Sequence, residues 1–121
     1  LLVLQNILNY DYLWIRLRVK GGAYGCMSGF GRDGDCYMVS YLDPKLAETN
    51  EVYDKLPEYL EQFDQDERSM DRYVIGAISE MDIPKNPAAL GVRGLTAYLS
   101  GITRENKIKE NSSLFTTVRS L

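Results

Sequence analysis

Residues 13–25 read LWIRLRVKGGAYG, and the rest of the chain can be organised outward from them. A basic, apolar helical segment runs into a double glycine, and an aromatic residue then opens a strand pattern. Arg18 and Tyr24 lie on either side of Gly21-Gly22, where the backbone is free to turn sharply and aim both side chains at one point. Arg18 can fork onto a peptide carbonyl or carboxylate, and Tyr24 can supply a phenolic hydroxyl. The pair suits an extended peptide or a developing oxyanion, and neither member is a nucleophile. Two plainer readings stand beside this one. A Gly-Gly after a helix is commonly just a left-handed stop, with Arg18 and Lys20 complementing the helix dipole. Lys20, Gly21 and Gly22 also resemble an anion cradle, although such sites normally use the start of a helix, and this loop follows one.

Upstream, Leu4, Ile7, Leu8, Leu13, Ile15 and Leu17 form an apolar opening helix, with Tyr10, Tyr12 and Trp14 beside it. Downstream, residues 23–30 and 35–42 alternate as two strands around Gly31-Arg32-Asp33-Gly34, a hairpin signal. With a two-residue turn closing on Arg32 and Asp35, Cys26 would face Tyr41 and Cys36 would face Gly31. The sulfurs then lie about 17 Å apart, which rules out a disulfide. Neither face of the hairpin is strongly polar, so cover is expected on both sides, by helices or by a partner surface.

After Asp43-Pro44 the pattern is helical. Tyr53, Leu56, Leu60 and Phe63 share a face across residues 46–63, with a kink or restart at Pro57. Asp66 is a good N-cap for a helix carrying Met70, Tyr73, Val74, Ala77, Ile78 and Met81. Asn86-Pro87 starts another, with Leu90, Leu95, Tyr98 and Leu99 as its buried stripe. Asp64, Asp66, Glu67 and Asp71 read as a solvated helix start rather than a cation site. The fold class is therefore α+β, an antiparallel hairpin packed with helices and containing ferredoxin-like elements. The 121 residues are expected to form a single domain. The chain begins at Leu1 without an initiator methionine, which reads as a piece cut from something larger.

Composition excludes several classes of function. A net charge of −3 argues against a nucleic-acid partner, and the short apolar opening against a membrane one. There is no histidine, so the usual zinc-ligand pairs and the protease bases are missing. Cys26 and Cys36 read as reduced thiols, and neither has a histidine to activate it as a nucleophile. No catalytic and no metal-binding residue is expected within the chain.

The run YDYLWIRLRVKGGAYG, the hairpin, VYDKLPEYL, RYVIGAISEMDIPKNP and YLSGITRE resemble, in that order, the C-terminal half of a family M16 zinc metallopeptidase of the insulinase-like, presequence protease type. The similarity runs to about Glu105. Beyond it the tail, residues 106–121, departs from the long amphipathic helix expected next. The resemblance implies two homologous halves closing around a chamber for unfolded peptides, with zinc in the N-terminal half at an HxxEH motif that this chain lacks. It implies that Arg18 and Tyr24 reach the substrate from the C-terminal half, that Gly21, Gly22 and Gly25 shape the turn between them, and that this piece alone does not hydrolyse peptides. The implied partners are the N-terminal catalytic half of the same polypeptide and peptide substrates. Self-association of the isolated piece is a further expectation. The implied setting is a bacterial cytoplasm, or the mitochondrial matrix or another organelle in a eukaryote. The residues also admit a different class, a stand-alone α+β interaction domain without enzymatic activity that pairs through its hairpin.

Overall fold

The computed structural model describes residues 1–120. Its α+β chain divides into two compact units, Leu1–Glu80 and Met81–Leu121. The first opens with α1 (Leu2–Ile7), which continues into a wider π-helix (Leu8–Lys20). The hairpin strands β1 (Gly25–Phe30) and β2 (Cys36–Tyr41) follow, then α2 (Leu46–Asp54), α3 (Leu56–Glu61) and α4 (Glu67–Met81). The second unit holds α5 (Pro87–Leu99) and α6 (Arg104–Ser120).

The π-helical winding follows from where the large apolar side chains fall. Leu8, Tyr12, Leu13 and Leu17 are the most deeply buried large residues, and they recur at intervals of four and five. At roughly 100° per residue an α-helix would put Leu8 and Leu17 on about opposite sides. The wider turn that i→i+5 bonding produces brings all four to one face. That face, with Ala23, forms the core of the first unit, and Cys26, Phe30, Met38, Val52, Leu56 and Tyr59 pack against it. The expected opening helix is present, but Ile15 and Tyr10 are exposed while Tyr12 is buried.

The hairpin is antiparallel, with Gly25 opposite Tyr41, Cys26 opposite Ser40 and Phe30 opposite Cys36. This corrects the register read from sequence by one residue. The Gly31 N–H donates to the Asp35 carbonyl at 2.7 Å, so the loop has three residues, Arg32 to Gly34, with Gly34 at φ 93°. A three-residue loop ending in a left-handed glycine is the next most common hairpin closure after the two-residue turn. Cys26 and Cys36 are then four strand steps apart, about 13 Å, and both are free thiols. Side chains of the opening helix dock β1. The Ser28 N–H and hydroxyl both donate to Asn9 Oδ1 at 2.7 Å, and Gln5 Nε2 donates to the Ser28 carbonyl at 3.1 Å.

One hairpin face, with Cys26, Ser28, Phe30 and Met38, turns to the core. The other presents Met27, Tyr37, Val39 and Tyr41, all exposed, so among the described residues of the first unit the expected cover is found on one side only. Pro57 sits in the first turn of α3, which restarts the helix after Lys55 as anticipated. Asp66 Oδ1 accepts from the Ser69 N–H at 3.0 Å and caps α4. All six predicted apolar positions of α4 are buried or half-buried.

In the second unit, Asn86 Oδ1 caps α5 by accepting from the Ala89 N–H at 2.8 Å. The predicted stripe of Leu90, Leu95, Tyr98 and Leu99 is exposed, however. These residues have the spacing of a core face, and the described residues of the second unit do not cover it. The tail, read as departing from a long amphipathic helix, forms α6 to Ser120, capped where Thr103 Oγ1 accepts from the Asn106 N–H at 3.2 Å and the Thr103 N–H donates back to Asn106 Oδ1 at 2.9 Å; Leu121 lies outside the described residues.

Candidate functional site

The Gly-Gly turn is a true helix stop. The Gly22 N–H donates to the Arg18 carbonyl at 3.1 Å, and the Ala23 N–H reaches back to the Leu17 carbonyl at 2.9 Å. These paired termini satisfy the last carbonyls of the helix, a pattern that needs a left-handed residue, and Gly22 supplies it at φ 83°. The same bonds occupy the Gly22 N–H, one of the donors that the anion-cradle reading of Lys20, Gly21 and Gly22 would use. Ala23 is buried in the core and acts as a pivot. Beyond it the Tyr24 N–H donates to the carbonyls of Tyr41 and Leu42 at 3.2 and 3.3 Å, tying the residue to the end of β2. Leu42 holds its carbonyl there in a left-handed conformation, φ 48°, that costs a bulky residue on the order of 1 kcal/mol.

The stop therefore also places side chains. Arg18 and Tyr24 come together, with the guanidinium carbon 5.8 Å from the Tyr24 ring centre. Tyr24 is 61% exposed, and neither the Arg18 guanidinium nor the Tyr24 hydroxyl is taken up by a hydrogen bond among the described residues. Two further rings complete the cluster. Trp14 lies under the Arg18 guanidinium at 4.2 Å, and Tyr41 stands 5.6 Å from Tyr24 at an interplanar angle of 56°. Gly25, expected in the turn, is the first residue of β1. A methyl group there would fall 2.3 Å from Tyr41 Cζ, so Gly25 makes room for the Tyr41 ring. Sequence reasoning assigned Trp14 and Tyr41 to packing. The four-residue interval from Trp14 to Arg18 was a signal for their contact, but the Tyr24–Tyr41 pairing depends on the hairpin register.

Chemically, the cluster offers a planar cation and a phenol hydroxyl on an aromatic surface where the end of the π-helix meets the end of the hairpin. It holds donors and no base. Cys26 is half-buried nearby; burial pushes its thiol up, and the positive charge of Arg18 only partly opposes this, so it is no activated nucleophile. Among the described residues no group of three or more His, Cys, Asp or Glu side chains assembles a metal site, and no helix is long and apolar enough to cross a membrane.

A separate open cleft of about 540 Å³ lies between the π-helix and α2–α3. There the Arg16 guanidinium stacks over Tyr12 at 4.2 Å and Tyr59 at 5.5 Å, with Glu48, Glu51 and Glu58 around them. Tyr59 donates to Asp11, and burial, reinforced by that carboxylate, raises its phenol far above the ordinary value. Tyr12 donates to the Val52 carbonyl at 2.5 Å. Both tyrosines are thus committed to holding α2 and α3 on the π-helix.

A family model described as the PreP C-terminal domain matches residues 1–120. The chain belongs to that family. Protein HypA of Clostridium perfringens is 46% identical over 112 residues, which is 93% of this chain and 12% of the relative. Presequence protease 1, chloroplastic/mitochondrial, of Arabidopsis thaliana is 33% identical over 116 residues, covering 95% of this chain and 11% of the relative. The mitochondrial presequence protease of Xenopus tropicalis is 28% identical over 118 residues, covering 98% of this chain. As a member of the PreP C-terminal domain family, the chain spans about a tenth of the length of the curated relatives it matches.

Proposed function

We propose that this chain is the non-catalytic C-terminal portion of a zinc-dependent oligopeptidase that encloses and degrades unfolded peptides, and that Arg18 and Tyr24 hold the substrate at an active site carried by the other half. The observation that supports this is the convergence of two unoccupied donors, a guanidinium and a phenol 5.8 Å apart, on an exposed surface. Family membership supports a peptidase parent.

The chain's own residues do not fit a zinc site. It has no histidine, its thiols are about 13 Å apart, and its described carboxylates do not cluster. Metal and general base accordingly belong to the N-terminal half of the polypeptide. The contribution here is binding and charge stabilisation. Arg18 fixes the peptide backbone through its fork of donors, and the Tyr24 hydroxyl donates to the carbonyl oxygen as negative charge develops on it. Two free thiols suit a reducing compartment, the cytoplasm for a bacterial host.

The test is steady-state cleavage of a model peptide by the full-length parent carrying Arg18→Ala or Tyr24→Phe. Loss of one oxyanion donor lowers turnover by about 10²- to 10³-fold, so kcat/KM falls by at least about two decades in each variant while metal content is unchanged. A second reading, a stand-alone interaction domain, draws on the open hairpin face with Tyr37, Val39 and Tyr41. It expects both variants to be kinetically silent, and that result would remove the assignment of a substrate site.

A further inference from the structure

We propose that Trp14 is a positioning residue for Arg18, its indole face holding the guanidinium in the orientation that meets the peptide. The inference rests on the reading of Arg18 as a substrate ligand and adds to it a residue that touches no substrate atom.

Arg18 lies exposed at the end of the π-helix and, among the described residues, makes no ion pair. A long side chain in that situation spreads over many rotamers. What it does have is the Trp14 ring 4.2 Å from the guanidinium carbon, with Tyr24 farther off at 5.8 Å. The kind of contact matters. A carboxylate partner would order the guanidinium by consuming its N–H donors, whereas a ring beneath the cation holds it through the π face and leaves the five in-plane donors for a ligand. An aromatic support fixes the fork without occupying it.

Among the described residues the Trp14 side chain makes no hydrogen bond and no other aromatic contact. It is 38% exposed and stands outside the buried set of Leu8, Tyr12, Leu13 and Leu17. It shares with Arg18 the interval of four residues that the buried set uses for Leu8–Tyr12 and Leu13–Leu17, displaced by one residue toward solvent.

The experiment uses the full-length parent with Trp14→Phe, Trp14→Leu, Arg18→Ala and the double variant Trp14→Leu/Arg18→Ala, assayed for peptide cleavage and melting temperature. Leu keeps apolar bulk but has no π face; Phe keeps a smaller one. Small misplacement of a binding group can cost up to about 100-fold, so Trp14→Leu is expected to lower kcat roughly tenfold with KM and melting temperature little changed. Trp14→Phe is expected to stay within about threefold of wild type. In the Arg18→Ala background Trp14→Leu should do nothing further, since residues acting through one another are non-additive. A Trp14→Leu loss that persists in the Arg18→Ala background overturns the proposal, because Trp14 then acts independently. So does an unimpaired Trp14→Leu enzyme, or equal impairment of the Phe and Leu variants. An Arg18→Ala enzyme with wild-type kinetics instead overturns the reading of Arg18 as a ligand, so the two failures are told apart.

Discussion

Replacing Gly22 separates conformational strain from steric crowding at the turn that carries Tyr24 to Arg18. Gly22 adopts φ 83°, and the atom nearest to an added Cβ is Pro44 Cγ at 3.6 Å, an ordinary contact. The penalty for a side chain there is therefore dihedral. A left-handed L-residue costs about 1–2 kcal/mol, offset by about 0.4–1 kcal/mol from a stiffer unfolded chain. The net expectation is about 1 kcal/mol for Gly22→Ala, about 2 kcal/mol for the β-branched Gly22→Val, and close to zero for Gly22→Asn, which tolerates this conformation. Gly21 next to it provides the contrast. Its φ is an ordinary −86°, but an added Cβ would lie 2.6 Å from the Leu17 carbonyl oxygen. Asn should therefore be harmless at 22 and harmful at 21. Urea unfolding of the chain followed by circular dichroism reads these differences, with about 3–5 °C of melting temperature per kcal/mol as a cross-check. A Gly22→Val chain as stable as wild type, or equal effects of Asn at the two positions, would refute the reasoning.

Other outcomes follow from the core and the titratable groups. Leu13 is fully buried, so Leu13→Ala should cost about 2–5 kcal/mol in the same urea assay. Asp43 accepts from Thr49 Oγ1 at 2.5 Å, the Lys45 N–H at 2.9 Å and Ser40 Oγ at 2.8 Å, and the Thr49 bond foremost holds its carboxyl below the usual range. A carboxyl lowered in the fold contributes stability above its unfolded value of about 3.9 and loses it as pH falls through the lower folded value. Melting temperature should thus drop on acidification below about pH 4, and less steeply in Asp43→Asn. Cys26 is half-buried with its thiol pushed up, whereas Cys36 is exposed, so iodoacetamide at neutral pH should label Cys36 first, as peptide mapping would show.

Much of this protein was settled by short-range chemistry that the sequence displays directly. The Asp66 and Asn86 caps, the restart at Pro57, the α4 stripe and the Gly-Gly stop each depend on residues within a turn of one another, so composition and spacing were enough to place them. The pairing of Arg18 with Tyr24 was legible for the same reason, since one tight turn separates them. The α5 stripe misled, because helical periodicity marks a face fit for burial and says nothing of whether the chain supplies its cover. The hairpin register turned on whether Gly34 closes a two- or a three-residue loop, and the Gly31–Asp35 bond of the folded chain decided it. That one-residue choice put Tyr41 over Gly25 and beside Tyr24. The widening of the opening helix came from the demand that Leu8, Tyr12, Leu13 and Leu17 share one core, a condition imposed jointly by the hairpin and by α2 and α3. Local hydrogen bonds and dihedral limits act along the chain and can be read from it, whereas register, helical pitch and the exposure of an apolar face are set by distant surfaces meeting.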